Sequence, residues 1–333
     1  MPAIRTGKVM KTQRSIQFQA HCACFAAYAI FGFNIVICKD LTSGRYISPL
    51  ALFTIRALCA AAVFWLLSII GRRKDSGSGS GRPETPGVRR FAGIELRDLP
   101  KILCASFLGF FVTQLTFLMA IPQVTPMTCS IISSLSPVYT MFIAAVAIKE
   151  PLTWKKAIGV AVSFAGILFL IVSSAHPSAS GTVANSVQGI MLMLANGIAF
   201  SLYLGVFKPL ISKYPVVDFM KWIFTFSILM SLPFSARELL SAGWGSFPSS
   251  FWLELSFLVV FATVFSYYLI PYGQKHLRPT LVSMYSYVQP IVATLISIVI
   301  GMDMLDWQKV LSAVMVFGGV VMVNRSKGAA VRN

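Results

Sequence analysis

Long apolar runs, each of membrane-spanning length, alternate with short polar connections from one end of the chain to the other. They cover approximately 18–39, 49–70, 99–120, 125–148, 156–174, 187–207, 217–235, 252–272, 279–300 and 307–324. A helix rises about 1.5 Å per residue, so about 20 apolar residues cross the hydrocarbon core. The pattern predicts an all-α integral membrane protein with ten transmembrane helices. Outside these runs lie a basic segment over 1–16, a stretch over 71–98 rich in Ser, Gly, Pro and Arg, and a short tail over 326–333. The first reads as a disordered tail, the second as a flexible loop, and all three as cytoplasmic.

The pattern is written twice. Pro126, Ser130, Ser133 and Pro137 recur 153 positions later as Pro279, Ser283, Ser286 and Pro290, and Leu152, Trp154, Lys156, Phe164 and Gly166 recur as Leu305, Trp307, Lys309, Phe317 and Gly319. Backwards, Thr113 and Gln114 pair with Ser266 and Tyr267. The repeats extend over 17–174 and 187–325. Five spans per repeat is an odd number, so the second enters the membrane from the opposite face, giving two inverted five-helix repeats. Pro137 and Pro290 fall well inside their runs, where each removes a ladder donor and frees a carbonyl, of Ser133 and Ser286 respectively. In lipid such a carbonyl needs a helix, hydroxyl or water as partner, which predicts paired kinks beside a polar cavity; a simple helix bend is the plainer reading.

Composition agrees with the pattern: 56% of residues are hydrophobic and 12% charged, too apolar for a soluble chain of this length. The net charge of +17 raises the question of nucleic acid, and its distribution answers it. With the N-terminus in the cytoplasm, nearly all Lys and Arg face inwards, leaving Lys39, Arg45, Arg237 and Lys309 outside. This is the positive-inside asymmetry of a multi-pass cell-membrane protein with both termini cytoplasmic. Residues 1–16 carry no aromatic side chain, so no nucleic-acid partner is expected; the partners are the lipid bilayer and a small-molecule substrate. The six cysteines lie in or beside spans and read as small packing residues. Cys22, Cys24 and His21 make a poor metal set, and no cofactor or metal is expected.

Polar residues within the spans carry the candidate chemistry. Arg56 lies about seven residues into the second run, about 10 Å below the outer boundary at helical rise. A charge there faces a watery cavity, finds a partner or snorkels outwards. By residue counting Asn34, Arg56 and Gln114 share the outer half, and Tyr267, Tyr268, Tyr285 and Tyr287 the inner half. With Ser133, Ser286 and Gln289 at the kinks, they form two gates or two walls of one cavity; each also has a plainer role as belt aromatic or interhelical bond. Gly159, Ala161, Ser163, Ala165 and Gly166, like Ser312, Ala313, Gly318 and Gly319, allow close helix approach within one chain or between the copies of a homodimer.

All 11 carboxylates fall at span ends or in loops. A proton-coupled exporter of organic cations ordinarily needs an acid near the midplane. Its absence favours a neutral or anionic metabolite, such as an amino acid whose carboxylate meets Arg56, over the alternative of a multidrug or organic-cation exporter. No nucleophile with a base and no acidic cluster stands at headgroup depth, so the chain reads as no enzyme and has no catalytic residue. A non-transporting scaffold or sensor is the remaining alternative, and would require neither Arg56 nor paired kinks.

These residues carry a family resemblance. Phe31-Gly32-Phe33-Asn34 with Lys39 resembles the first-span Trp-Gly-x-Asn signature of EamA-type permeases in the drug/metabolite transporter superfamily, with Phe for Trp. Pro49 with Arg56 resembles that family's second span, and Ser136-Pro137 through Glu150 with Leu152, Gly159 and Gly166 its fourth and fifth. The resemblance covers about 20–325. It implies a ten-helix inverted-repeat permease with both termini inside, exporting or exchanging small metabolites.

Overall fold

A computed structural model describes residues 2–43, 46–77, 90–136, 138–140, 142–143, 154–174, 185–277, 279–301 and 306–325. The helices are α1 (Pro2–Ser43), α2 (Pro49–Gly77), α3 (Leu96–Gln123), α4 (Pro126–Ser133), α5 (Trp154–Ser174), α6 (Val187–Val206), the short α7 (Lys208–Lys213), α8 (Val216–Ser241), α9 (Ser249–His276), α10 (Leu281–Val299) and α11 (Trp307–Arg325). Among the described residues the one strand pairing is an antiparallel hairpin of β1 (Arg90–Phe91) and β2 (Ile94–Glu95). Seven of the described helices are long and apolar enough to cross a membrane. The chain is an all-α integral membrane protein.

Local chemistry explains where helices begin. Ser48 precedes α2, with Pro49 at the first helical position, and its Oγ accepts the Ala51 N–H at 3.2 Å. Thr125 caps α4 before Pro126 by accepting from the Thr128 N–H, and Ser186 caps α6 by accepting from the Gly189 N–H. A hydroxyl at the cap satisfies a backbone donor the helix leaves open, and proline sits without loss at the first position.

Two expectations for the basic segments change. The basic segment over 1–16 is helical backbone from Pro2 rather than a disordered tail, continuous with the first span. Beyond Gly7 it holds no proline or glycine, and its Lys, Arg, Gln and Met are good helix formers. The loop over 71–98 is narrower than expected: α2 runs on to Gly77, and the hairpin occupies 90–95. Ala92 (φ 47°) and Gly93 (φ 88°) both take the left-handed conformation that a two-residue hairpin turn requires. Ile94 is fully buried, and the Phe91 ring meets Trp222 on α8.

The helices pack in pairs: α2 on α8, α5 on α11, α3 on α6, and α1 on the second half of α9 and on α10, with α4 against α6 and α10. On α5, Ser163 Oγ donates to the Gly159 carbonyl at 3.0 Å and reaches the Val316 carbonyl of α11 at 3.3 Å. Gly166 faces the Ser312 carbonyl and Met315, and Gly319 faces the Gly159 carbonyl and Ser163. The small residues of both helices thus bring the two backbones together inside one chain. Between α2 and α8, the fully buried Lys221 donates to Asp218 Oδ1 at 2.7 Å and to Ser68 Oγ at 2.6 Å. At the end of α3, Lys39 Nζ caps the carbonyls of Ile121, Pro122 and Val124 at 2.9–3.0 Å, a cation at a helix C-terminus.

Both α3 and α9 contain a π-helical stretch, Phe107–Val112 and Leu258–Phe265. Thr113 Oγ1 donates to the Leu108 carbonyl at 2.8 Å and Ser266 Oγ to the Phe261 carbonyl at 3.0 Å, the same bond 153 residues on. A π turn inserts a residue and rotates the rest of the helix about its axis, a local device common at functional sites.

Candidate functional site

The π turn of α3 presents Thr113, Gln114 and Phe117 to a cavity near the middle of the bundle. Tyr28, Phe31 and Asn34 of α1 face them, Ser133 and Ser136 come from α4 and the residues after it, Asn196 and Phe200 from α6, Tyr267 from α9 and Gln289 from α10. The cavity gives the centre of a water-sized molecule about 60 Å³ to occupy, several times the 10–15 Å³ or so that one water needs. Among the described residues, every polar side chain on this wall is a carboxamide or a hydroxyl.

Several wall residues hold one another. Asn196 Nδ2 donates to the Thr113 carbonyl at 2.5 Å, and Gln114 Nε2 donates to the Tyr267 hydroxyl. Behind Gln114 stands Arg56. Its Nη1 donates to Gln114 Oε1 at 3.5 Å, its Nε to Thr263 Oγ1 at 2.9 Å, and Nη1 also approaches Cys38 Sγ at 3.8 Å. Arg56 is only 2% exposed. Of the three outcomes open to a charge at this depth, it takes the partnered one: it neither lines the cavity nor snorkels. Thr263, in the π turn of α9, donates its hydroxyl hydrogen bond to the Leu258 carbonyl at 2.7 Å, so its oxygen can accept from the guanidinium.

Regular helix is interrupted a few residues before each of the two prolines, with polar groups satisfied locally. Ser136 Oγ donates to the Ser133 carbonyl at 2.8 Å, and the chain turns at Ser134 and Leu135. Pro137 lies outside the described residues. Before Pro290 the chain tightens into a 3₁₀ turn over Tyr285–Tyr287, and the Val288 N–H returns to the Tyr285 and Ser286 carbonyls. The first break lines the cavity through Ser133 and Ser136; the second contributes Gln289. Ser286 is fully buried with no hydrogen-bond partner for its hydroxyl among the described residues, away from the cavity wall.

Of the predicted residues, the structure thus gathers Asn34, Gln114, Ser133, Tyr267 and Gln289 around one cavity. Residue counting divides Gln114 and Tyr267 between the outer and inner halves, yet their side chains touch. The inner tyrosines do not gather. Tyr268 is exposed and stacks on Tyr272, Tyr285 meets His21 Nδ1 at 2.5 Å, and Tyr287 packs on Phe317. The wall residues not predicted are Tyr28, Phe31, Thr113, Phe117, Ser136, Asn196 and Phe200, to which Thr263 is added as a support of Arg56. Asn196 and Thr263 are polar residues within apolar runs, the signal that pointed to Asn34; the aromatic residues carry none that separates them from packing.

The model of the EamA-like transporter family matches residues 19–172 and 187–325. The chain is 22% identical over 285 residues to a protein of Archaeoglobus fulgidus described as an uncharacterized transporter, covering 86% of this chain and 92% of that one. It is 28% identical over 150 residues to a probable terminal-alkyne amino-acid exporter of Streptantibioticus cattleyicolor, covering 44% of this chain and 47% of the exporter. A solved crystal structure shares the fold, with a TM-score of 0.57 at 18% identity over 91% of this chain and 95% of that one.

Proposed function

Because the chain belongs to the EamA-like transporter family, we propose that this membrane transporter moves a small neutral or anionic metabolite, such as an amino acid, by alternating access between two inverted five-helix repeats. Support for the repeat comes from the 153-residue register. The π turns recur with the same hydroxyl-to-carbonyl bond. Gly166 against the Ser312 carbonyl is answered by Gly319 against the Gly159 carbonyl, where 159 and 312 are themselves partners in the register. Reciprocal contacts of this kind are what a two-fold relation between halves produces. The Lys and Arg asymmetry supports a cell-membrane orientation with both termini in the cytoplasm.

The observation that carries the substrate class is the wall itself: carboxamides, hydroxyls and rings, with the Arg56 guanidinium one residue behind Gln114. An organic cation moved into such a site leaves water for no counter-charge and sits near a buried positive group. A neutral or zwitterionic solute replaces its water with amide and hydroxyl partners, and a carboxylate is drawn towards Arg56 through the polarised Gln114 amide. A relative named as an amino-acid exporter fits that chemistry. Nothing in this reading calls for a covalent step, so the site transports rather than catalyses.

Uptake into proteoliposomes of a panel of amino acids, carboxylates and organic cations, with and without a pH gradient, tests the proposal. Saturable flux of an amino acid or carboxylate, indifferent to the gradient and reduced by Asn34→Ala and Gln289→Ala, is the expected result. Gradient-driven cation flux untouched by both substitutions would overturn it.

A further inference from the structure

A second concavity, with about 490 Å³ open to water-sized molecules, lies where α3 begins and α6 ends. Lys101 precedes the apolar part of α3, and Val206 closes the apolar run of α6. The groove therefore sits at the boundary between the membrane-spanning segments and the polar end of the bundle. One side is apolar, with Val206 and Pro209 exposed and Phe207 partly so. The other carries Arg97, Lys101 and Lys213.

The charges on that side are sorted by depth. Asp98 spends Oδ1 on Lys101 at 3.0 Å and Oδ2 on Lys213 and the Tyr214 hydroxyl, each at 2.6 Å. Glu95 Oε2 receives Arg97 Nε at 2.7 Å and Lys213 Nζ at 2.8 Å. Both acids are turned inwards and both outer cations are left in the open: the side chains of Glu95 and Asp98 are 7% and 4% exposed, those of Arg97 and Lys101 71% and 66%. Three cations oppose two inward-turned carboxylates, and the surface the groove presents is positive. The terminal nitrogens of Arg97 have no hydrogen-bond partner among the described residues.

We propose that this groove binds an anionic phospholipid, with the phosphodiester on Arg97, Lys101 and Lys213 and an acyl chain along Val206, Phe207 and Pro209. Charge complementarity selects the headgroup: a guanidinium fork and two ammonium groups suit a phosphate that carries no compensating cation. The apolar wall at the same level selects a lipid over a free anion, because soluble phosphate gains nothing from covering Val206 and Phe207.

The full chain in phosphatidylcholine nanodiscs, titrated with phosphatidylglycerol and read by native mass spectrometry, tests this. The parent is expected to retain one phosphatidylglycerol in preference to phosphatidylcholine, and excess inorganic phosphate is expected not to displace it. The double substitution Arg97→Ala with Lys101→Ala should weaken retention by about tenfold or more, while Lys309→Ala leaves it unchanged. Val206→Asp keeps every cation and ion pair and places a negative charge in the groove; it is expected to weaken retention alike, which covers the case in which the double variant fails to fold. Equal retention of the two lipids by the parent, retention unchanged in Val206→Asp, or displacement by inorganic phosphate would overturn the proposal.

Discussion

Gln114 and Tyr267 stand 153 residues apart and hydrogen-bond to each other across the middle of the bundle. That separation is the register between the halves, so one position of the repeat meets its own counterpart. Under the inverted-repeat proposal only residues beside the symmetry axis can do this, and the axis then crosses the cavity wall. The same amide accepts from Arg56, so the pair joins a deeply buried guanidinium to the cavity. Tyr267→Phe keeps the ring packed against Phe31, Phe110 and Phe224 and removes only the hydroxyl. Losing one buried hydrogen bond costs about 1 kcal/mol, so the protein is expected to fold while flux in proteoliposomes falls about fivefold. Unchanged flux would remove Tyr267 from the transport path.

The seam between α5 and α11 makes a sharper stability prediction. A Cβ at Gly319 would overlap the Gly159 carbonyl and Ser163, lying 2.7 Å from the Ser163 backbone nitrogen, whereas one at Gly318 meets nothing within 4 Å. Gly319→Ala should therefore cost about 1–3 kcal/mol through overpacking, and Gly318→Ala should be neutral or slightly stabilising through helix propensity. Thermal unfolding in detergent compares the two; equal midpoints would mean that the helices do not approach as closely as described.

Which features the sequence disclosed, and which it hid, depends on which physical signals are one-dimensional. Apolar run length marks a span without reference to neighbours, so the membrane class and most helices were legible. Pro126 and Ser130 recurring as Pro279 and Ser283 made the duplication legible too. Polar residues within apolar runs could be picked out, and Asn34, Gln114, Ser133, Tyr267 and Gln289 do line one cavity, although counting depth separates Gln114 from Tyr267. Counting cannot resolve azimuth, which the π turns change by inserting a residue. Arg56 was legible as costly but not as a residue sealed behind Gln114, because its partner Thr263 lies 207 residues away. Depth places Tyr268 and Tyr287 with Tyr267, but Tyr268 stacks on Tyr272 and Tyr287 packs on Phe317, away from the cavity wall. The Arg90–Glu95 hairpin was missed because a two-residue strand offers no period, and its signal lay in the turn formed by Ala92 and Gly93.

At the end of α2 away from the hairpin, Glu238 on α8 serves as a cap supplied by another helix. Its Oε1 accepts the Ser48 N–H at 2.6 Å and its Oε2 the Ser48 hydroxyl at 2.5 Å. A carboxylate there answers both an open donor and the positive end of the helix dipole. Glu238→Ala is expected to lower stability by about 1 kcal/mol, with Ser48→Ala similar and the double substitution less than additive, since both remove one interaction. Additive losses in thermal unfolding would show that the two residues act separately.

The Glu95 clamp predicts how this part of the fold responds to acid. The hydrogen bond from Lys213, joined by that from Arg97, holds the Glu95 carboxyl below its ordinary value, outweighing the opposing effect of burial. A carboxylate depressed in the folded chain contributes stability that is fully present above its unfolded value, about 4.3, and is lost as pH falls through the lower folded value. Glu95→Gln removes the charge and should lower the unfolding midpoint by the same amount anywhere between about pH 5 and 8, the range in which both states of the parent carry the ionised group. Below about pH 4 the parent should lose its advantage and the two midpoints should converge. Against the opposing effect of burial, its carboxylate partners hold Lys213 above its ordinary value, so it keeps its charge throughout and the convergence reports the carboxyl. A gap between parent and variant that already changes between about pH 6 and 8 would place the titration on another group and leave Glu95 without the clamp's share of stability.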